Sequence, residues 1–295
     1  MSYNSSMPLL YVLILAVVQG LVEILPVSSS AHVVVAEKLL GLNPSSPPMT
    51  LLLVMLHTGT MFSVIVYFWS RWRQTYFSSV EAFKKIAGFV VVATLLTGVI
   101  GEAIIKVIEK VFMRGVPHAE IEDLFSRLDL VAPALAAVGI LIIIAGRAEK
   151  RNPAETAAQT SDLDMSKASI VGIVQGLCLP FRGFSRSGAT ISAGMLMKVA
   201  KSRAEMFSFA LAVVLTPPVV LREAMRFQDA NHVTGAVNLV SAALPSLLGA
   251  VFAFLAGLVA LKWLSGWLEG GRWYLFGIYC LIAAGGVEYL HHLGY

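Results

Sequence analysis

Long apolar runs alternate with short polar breaks along this chain. Six runs approach or exceed the roughly 18–20 residues that carry a helix across a bilayer: 49–69, 86–108, 130–146, 204–221, 239–263 and 273–290. A helix satisfies its own backbone hydrogen bonds in lipid. The alternating segments of about ten residues that mark a membrane β-barrel are missing. Two further apolar pairs, 8–25 with 29–41 and 167–180 with 187–200, are too short to cross and return. Each is broken by a Pro and a Ser-containing turn, and each reads as a re-entrant hairpin rather than two tilted spans. Irregular backbone at membrane depth is tolerated only where protein or a wet cavity covers it. Three spans separate the hairpins, so they enter from opposite faces, as in an inverted-topology repeat with a site near the midplane. The predicted fold is an all-α polytopic membrane protein of six transmembrane helices plus two re-entrant hairpins. It forms one domain, 1–295, with repeat halves 1–146 and 167–295 joined by a polar, cytoplasmic loop at 147–166.

Composition agrees: 57% of the residues are hydrophobic and 14% charged, against about a quarter charged in soluble domains. Residues 1–7 carry no Lys or Arg and no cleavage-like site follows, so the apolar stretch 8–18 is expected to remain in the mature protein. Thirteen Lys/Arg fall in the connections 70–85, 147–167, 198–203 and 262–272, against six on the other side. The first side is therefore predicted to be cytoplasmic, with both termini outside. No basic stretch is interleaved with aromatics, which argues against nucleic acid. Cys178 and Cys280 sit in apolar runs and read as small buried hydrophobes, with no disulfide or zinc site expected.

The chemistry gathers in two related segments, AVVQGLVEILPVSSSAH at 16–32 and GIVQGLCLPFRGFSRSGAT at 172–190. Each runs from Gln-Gly-Leu through a Pro to a Ser-containing turn and a new apolar helix. In the first, Gln19 and Glu23 are four apart and share one helix face. An ionisable residue inside a membrane segment defaults to a functional hypothesis. Ser28, Ser29 and Ser30 follow Pro26 at a helix start, where free N–H groups suit capping or an anion. His32 falls in the first turn, suited to proton transfer. In the second, Arg186 stands among Ser185, Ser187, Gly188 and Thr190. A guanidinium can grip phosphate oxygens with two parallel hydrogen bonds, and the hydroxyls can add donors. Arg182 is a second cation in that turn. Carboxylate, imidazole, hydroxyls and arginine are the parts of phosphoryl transfer. His57 is placed either in the cavity or in structure. Arg203 and Glu205 are expected to cap a span or pair locally, Arg222, Glu223 and Arg226 to end that span, and His291 and His292 to form a solvated terminus.

Gln19-Gly-Leu-Val-Glu23-Ile-Leu-Pro-Val-Ser-Ser-Ser-Ala-His32 and Gly183-Phe-Ser-Arg-Ser-Gly-Ala-Thr190 resemble the motifs of the bacterial undecaprenyl-diphosphatase, or bacitracin-resistance, family. The likeness covers nearly the whole chain in length and span layout, and the run Arg203–Phe209 is similar too. It implies removal of the terminal phosphate from undecaprenyl diphosphate, the spent lipid carrier of cell-wall synthesis, in the bacterial inner membrane. It also implies bacitracin resistance and dependence on Mg²⁺ or Ca²⁺. By position, Gln19 and Glu23 match the family's acidic pair and would hold the metal and substrate. Ser28, Ser29 and His32 match its serine turn, and Arg186 its Ser-Arg-Ser-Gly arginine. Ser29 or a water would attack phosphorus with His32 as proton partner, while Ser28, Ser185, Ser187, Gly188 and Thr190 would bind phosphate. Two departures stand out. Gln19 replaces a Glu that many members carry. Leu-Pro-Phe-Arg-Gly before the second motif is one residue longer than the family's usual approach. A transporter or flippase of an isoprenoid lipid phosphate is the alternative, because broken helices in inverted repeats are also transporter architecture. The sequence leaves a homodimer open.

Overall fold

A computed structural model describes residues 8–42, 47–112, 127–151, 161–234 and 239–294. Its helices are α1 (Leu9–Ile24), α2 (Ser29–Leu39), α3 (Pro47–Thr75), α4 (Val80–Phe112), α5 (Leu128–Arg151), α6 (Met165–Cys178), α7 (Arg186–Leu196), α8 (Lys201–Thr234), α9 (Leu239–Glu269) and α10 (Trp273–His292). There is no sheet among the described residues, only an isolated bridge between Ser161 and Val199. Among the described residues, five stretches are long and apolar enough to cross a bilayer: Met49–Thr75, Val80–Val111, Leu128–Ala148, Leu244–Glu269 and Trp273–His292. The expected span 204–221 lies inside α8, several of whose side chains fall outside the described residues. Leu95, Val99, Val259 and Ile282 are among many large apolar side chains that face outward. A soluble monomer rarely exposes apolar surface on that scale.

Several helices outrun their apolar stretches. α3 continues through Arg71 and Arg73, and α9 runs to Glu269, so the expected connections 70–85 and 262–272 shrink to short turns. α8 continues past Arg222, Glu223 and Arg226, which were expected to end it; their side chains lie outside the described residues. Hydropathy reports the apolar thickness, whereas helices extend into the polar zone until a cap or turn stops them. The expected loop 147–166 is likewise shortened, with α5 helical to Arg151 and α6 starting at Met165; residues 152–160 lie outside the described set. Asp164 starts α6, accepting the Lys167 backbone N–H at 2.9 Å and pairing with Lys167 Nζ at 3.0 Å. That backbone N–H bond, helped by the ammonium, holds the Asp164 carboxyl below the usual carboxylate range.

The helices pack in a crossed pattern. α1 lies along α9, α6 along α4, α5 along α10, and α3 between α8 and α9. The repeated Gln-Gly-Leu explains two of these contacts. A Cβ on Gly20 would meet the Ala253 carbonyl oxygen at 2.6 Å, and one on Gly176 the Thr97 carbonyl oxygen at 2.9 Å. Glycine lets each short helix press its backbone against its long partner, the usual device of membrane helix pairs. Cys178 and Cys280 are both buried, as small hydrophobes are.

Candidate active site

The first turn is built around Ser28. It caps α2, its Oγ accepting the Ala31 N–H at 3.4 Å, and its φ of 67° lies in the left-handed region that side chains disfavour. Such a conformation persists only where neighbours over-determine it. His32 supplies one tether: its Nδ1 lies 2.8 Å from the Ser28 carbonyl oxygen. A carbonyl only accepts, so Nδ1 carries the proton and donates. Cys280 supplies another, its thiol donating to the Pro26 carbonyl oxygen at 3.4 Å.

The second turn is built around Ser185, which caps α7 by accepting the Gly188 N–H at 3.2 Å. Gly183 has φ 101°, and a Cβ there would meet the Val131 carbonyl oxygen at 2.4 Å, so only glycine fits. The turns touch: the Gly183 N–H donates to Ser30 Oγ at 3.4 Å.

The two turns share one charged centre. Arg186, the first residue of α7, donates from its guanidinium to Glu23 Oε1 at 3.2 Å. Gln19 Nε2 donates to Glu23 Oε2 at 3.0 Å, and Ser29 stands beside the same carboxylate. His57 Nε2 stands 3.8 Å from Glu23 Oε2, with its Nδ1 bound to the Leu53 carbonyl oxygen at 2.8 Å. The other terminal nitrogen of Arg186 is buried and has no hydrogen-bond partner. An unpaired guanidinium nitrogen is costly, and it offers an anion a ready donor. Glu23 and Arg186 line a narrow cleft together with Thr60, Met61 and Val64 of α3 and Phe209, Val213 and Thr216 of α8.

The structure thus unites Gln19, Glu23, Ser29 and Arg186. It gives other expected residues different neighbours. His32 shares no hydrogen bond with Glu23; its Nε2 meets the Tyr279 hydroxyl at 2.7 Å, the rings stacked 5.7 Å apart. Ser28 and Ser185 act as caps. Ser187 lies 3.4 Å from Ser185, and the buried Gly188 sits against Ile142. Thr190 donates to the Arg186 carbonyl oxygen at 2.8 Å and meets Ser208 at 2.6 Å. These hydroxyls shape the start of α7.

Other neighbours were harder to foresee. His57 reaches Glu23 from α3, and Tyr279 reaches His32 from α10, across sequence gaps that no local pattern reveals. Glu205 does not pair locally. It accepts the Ser265 hydroxyl at 2.5 Å and faces Arg71 at 3.8 Å, tying α8 to α9 and α3. The buried Glu37 of α2 feels the positive charge of Arg182, from the turn before the second motif. His291 and His292 are exposed, as expected. Among the described residues no cluster of three or more His, Cys, Asp or Glu could hold a metal.

Residues 12–286 match the family described as bacitracin resistance protein BacA. The chain is 58% identical over 285 residues to undecaprenyl-diphosphatase 2 of Acinetobacter baylyi, covering 96% of this chain and 98% of that relative. It is 31% identical to the undecaprenyl-diphosphatase of Rhodopirellula baltica, covering 93% of this chain and 95% of the relative. Against the undecaprenyl-diphosphatase of Halothermothrix orenii it is also 31% identical, covering 94% and 95%.

Proposed function

Because this chain belongs to the bacitracin resistance protein BacA family, we propose that it hydrolyses undecaprenyl diphosphate to undecaprenyl phosphate and inorganic phosphate. The observation that carries this reading is the Glu23–Arg186 contact, which joins the two motifs at one cleft. The diphosphate engages Arg186 at this cleft while its isoprenoid tail stays in the lipid. Arg186 pairs with Glu23 in the free protein and grips phosphate oxygens when substrate arrives, its second nitrogen lacking any protein partner.

Glu23 then takes the proton of the attacking hydroxyl, which we assign to Ser29, the hydroxyl that neighbours it at the start of α2. The Ser29 oxygen bonds to the terminal phosphorus as the anhydride P–O bond breaks, and undecaprenyl phosphate leaves. Water then cleaves the phosphoserine to free inorganic phosphate. Trapping that phosphoserine by acid quench separates this route from direct attack by water. Gln19 orients Glu23. Ser185, Ser187, Gly188 and Thr190 hold the start of α7 so that Arg186 faces the cleft. His32 braces the serine turn through the Ser28 carbonyl.

The donor set fits a divalent cation, Mg²⁺ or Ca²⁺, only together with substrate. Glu23 offers one carboxylate and the diphosphate supplies further oxygens, as Mg²⁺ sites commonly arrange. Gln19 would add its amide oxygen only by turning its NH₂ away from Glu23. When bound, the cation would neutralise diphosphate charge.

α1–α2 and α6–α7 are the re-entrant hairpins of an inverted repeat, a reading supported by the matched packing of Gly20 on α9 and Gly176 on α4. The six-span protein sits in the bacterial inner membrane and recycles the lipid carrier for cell-wall synthesis. The test is phosphate release from undecaprenyl diphosphate by purified protein in detergent, with and without chelator. Release that chelator suppresses is expected; none under either condition overturns the reading.

A further inference from the structure

Ser29 follows directly on Ser28, a residue held at φ 67° that a serine does not adopt without support. Support comes from outside the hairpin. His32 donates from Nδ1 to the Ser28 carbonyl oxygen at 2.8 Å, which leaves Nε2 of the neutral ring as an acceptor. The Tyr279 hydroxyl meets that nitrogen at 2.7 Å, and the two rings lie nearly parallel, 12° apart. The next residue of α10, Cys280, holds the other side of the turn through the Pro26 carbonyl oxygen. Two successive residues of α10 therefore clamp the turn at both ends. Tyr279 is 46% exposed, so its ring is no core plug. What it contributes is the hydroxyl.

We infer that Tyr279 is a positioning residue for the reaction: through His32 it fixes the Ser28 carbonyl, and with it the adjacent Ser29 hydroxyl beside Glu23. This rests on the phosphatase reading above. The hydroxyl donates to Nε2, keeping the imidazole in its Nδ1–H form and turned toward Ser28. Without it the ring is free to rotate, the carbonyl loses its donor, and the turn relaxes toward ordinary backbone angles. A reacting atom displaced by a fraction of an ångström loses much of its rate. The second half of the molecule thus contributes two things to the reaction: a phosphate grip from α7 and a template for the nucleophile from α10.

The test is a double-mutant cycle on phosphate release, using Tyr279→Phe, His32→Ala and the pair, with thermal unfolding in detergent run alongside. Tyr279→Phe keeps the stacked ring. The expected result is a fall in kcat of about tenfold or more with KM little changed, an unaltered melting temperature, and no further loss when Tyr279→Phe is added to His32→Ala. Turnover equal to wild type in Tyr279→Phe overturns the inference. So do losses that multiply in the double variant, or a fall in kcat matched by a fall in melting temperature, which would mark the hydroxyl as a stability element. If wild-type protein releases no phosphate, the phosphatase reading itself fails; if wild type is active and only the coupling is missing, the positioning role alone fails.

Discussion

The helix pairs α1–α2 and α6–α7 are built alike and carry different side chains at matched positions. Each carries Gln-Gly-Leu in the last turns of its first helix, uses the glycine to press on a long helix, breaks at a Pro, and restarts on a serine cap. The difference lies in what occupies matched positions. Four residues after the glutamine stands Glu23 in one hairpin and Leu179 in the other. The first residue of the second helix is Ser29 in one and Arg186 in the other; three residues later come His32 and Ala189. The glutamines follow suit. Gln19 donates to a carboxylate, whereas Gln175 donates to the Thr97 hydroxyl at 3.1 Å inside a sealed packing contact. The two turns thus share a backbone plan and differ in the side chains at a few equivalent sites; in the proposed reaction one bears the nucleophile and the other grips phosphate.

The contrast is sharpest at the fourth position. Glu23→Gln is expected to cut phosphate release by about 10²–10⁴, the usual worth of a general base, while Leu179→Ala, on an exposed leucine, leaves turnover near wild type. Equal effects of the two would erase the division of labour. At the helix starts, Arg186→Lys keeps the charge but loses the forked geometry. A fall in kcat/KM of about 10² is expected, comparable to losing a transition-state donor.

The glutamines give smaller effects, split between turnover and stability. Gln19→Leu should lower turnover by about tenfold, as loss of an orienting partner does, with little change in melting. Gln175→Leu should leave turnover intact and shift stability by about 1–3 kcal/mol, the range for disturbing a buried hydrogen bond, read by thermal unfolding in detergent. The smallest effect belongs to the cap: Ser185→Ala should cost about 1 kcal/mol of stability.

Much of this was legible in the sequence. Apolar runs located the helices, and a Pro followed by serines located both broken pairs, because hydropathy and helix-capping chemistry act locally. Glu23 and Arg186 stood out as charges in apolar surroundings. The helix ends were less legible: Arg71, Arg73 and Glu269 remain helical beyond the apolar thickness, which hydropathy does not see. Least legible were partners brought together only by packing. Nothing near His32 foretells Tyr279, and nothing near Glu205 foretells Ser265 and Arg71. The serine and threonine hydroxyls around Arg186 read as phosphate donors, and only packing shows that they also bond to the start of α7 and to one another.

The central claim is that the two turns form one site, and the Glu23–Arg186 contact at 3.2 Å is its narrowest point. The most direct test is phosphate release by Glu23→Gln, Arg186→Gln and the double variant, measured in detergent on undecaprenyl diphosphate. Residues acting as a unit are far from additive, so a single site predicts a double variant within about threefold of the slower single one. Losses that multiply in full would mean that the two turns act independently, and would contradict a shared centre.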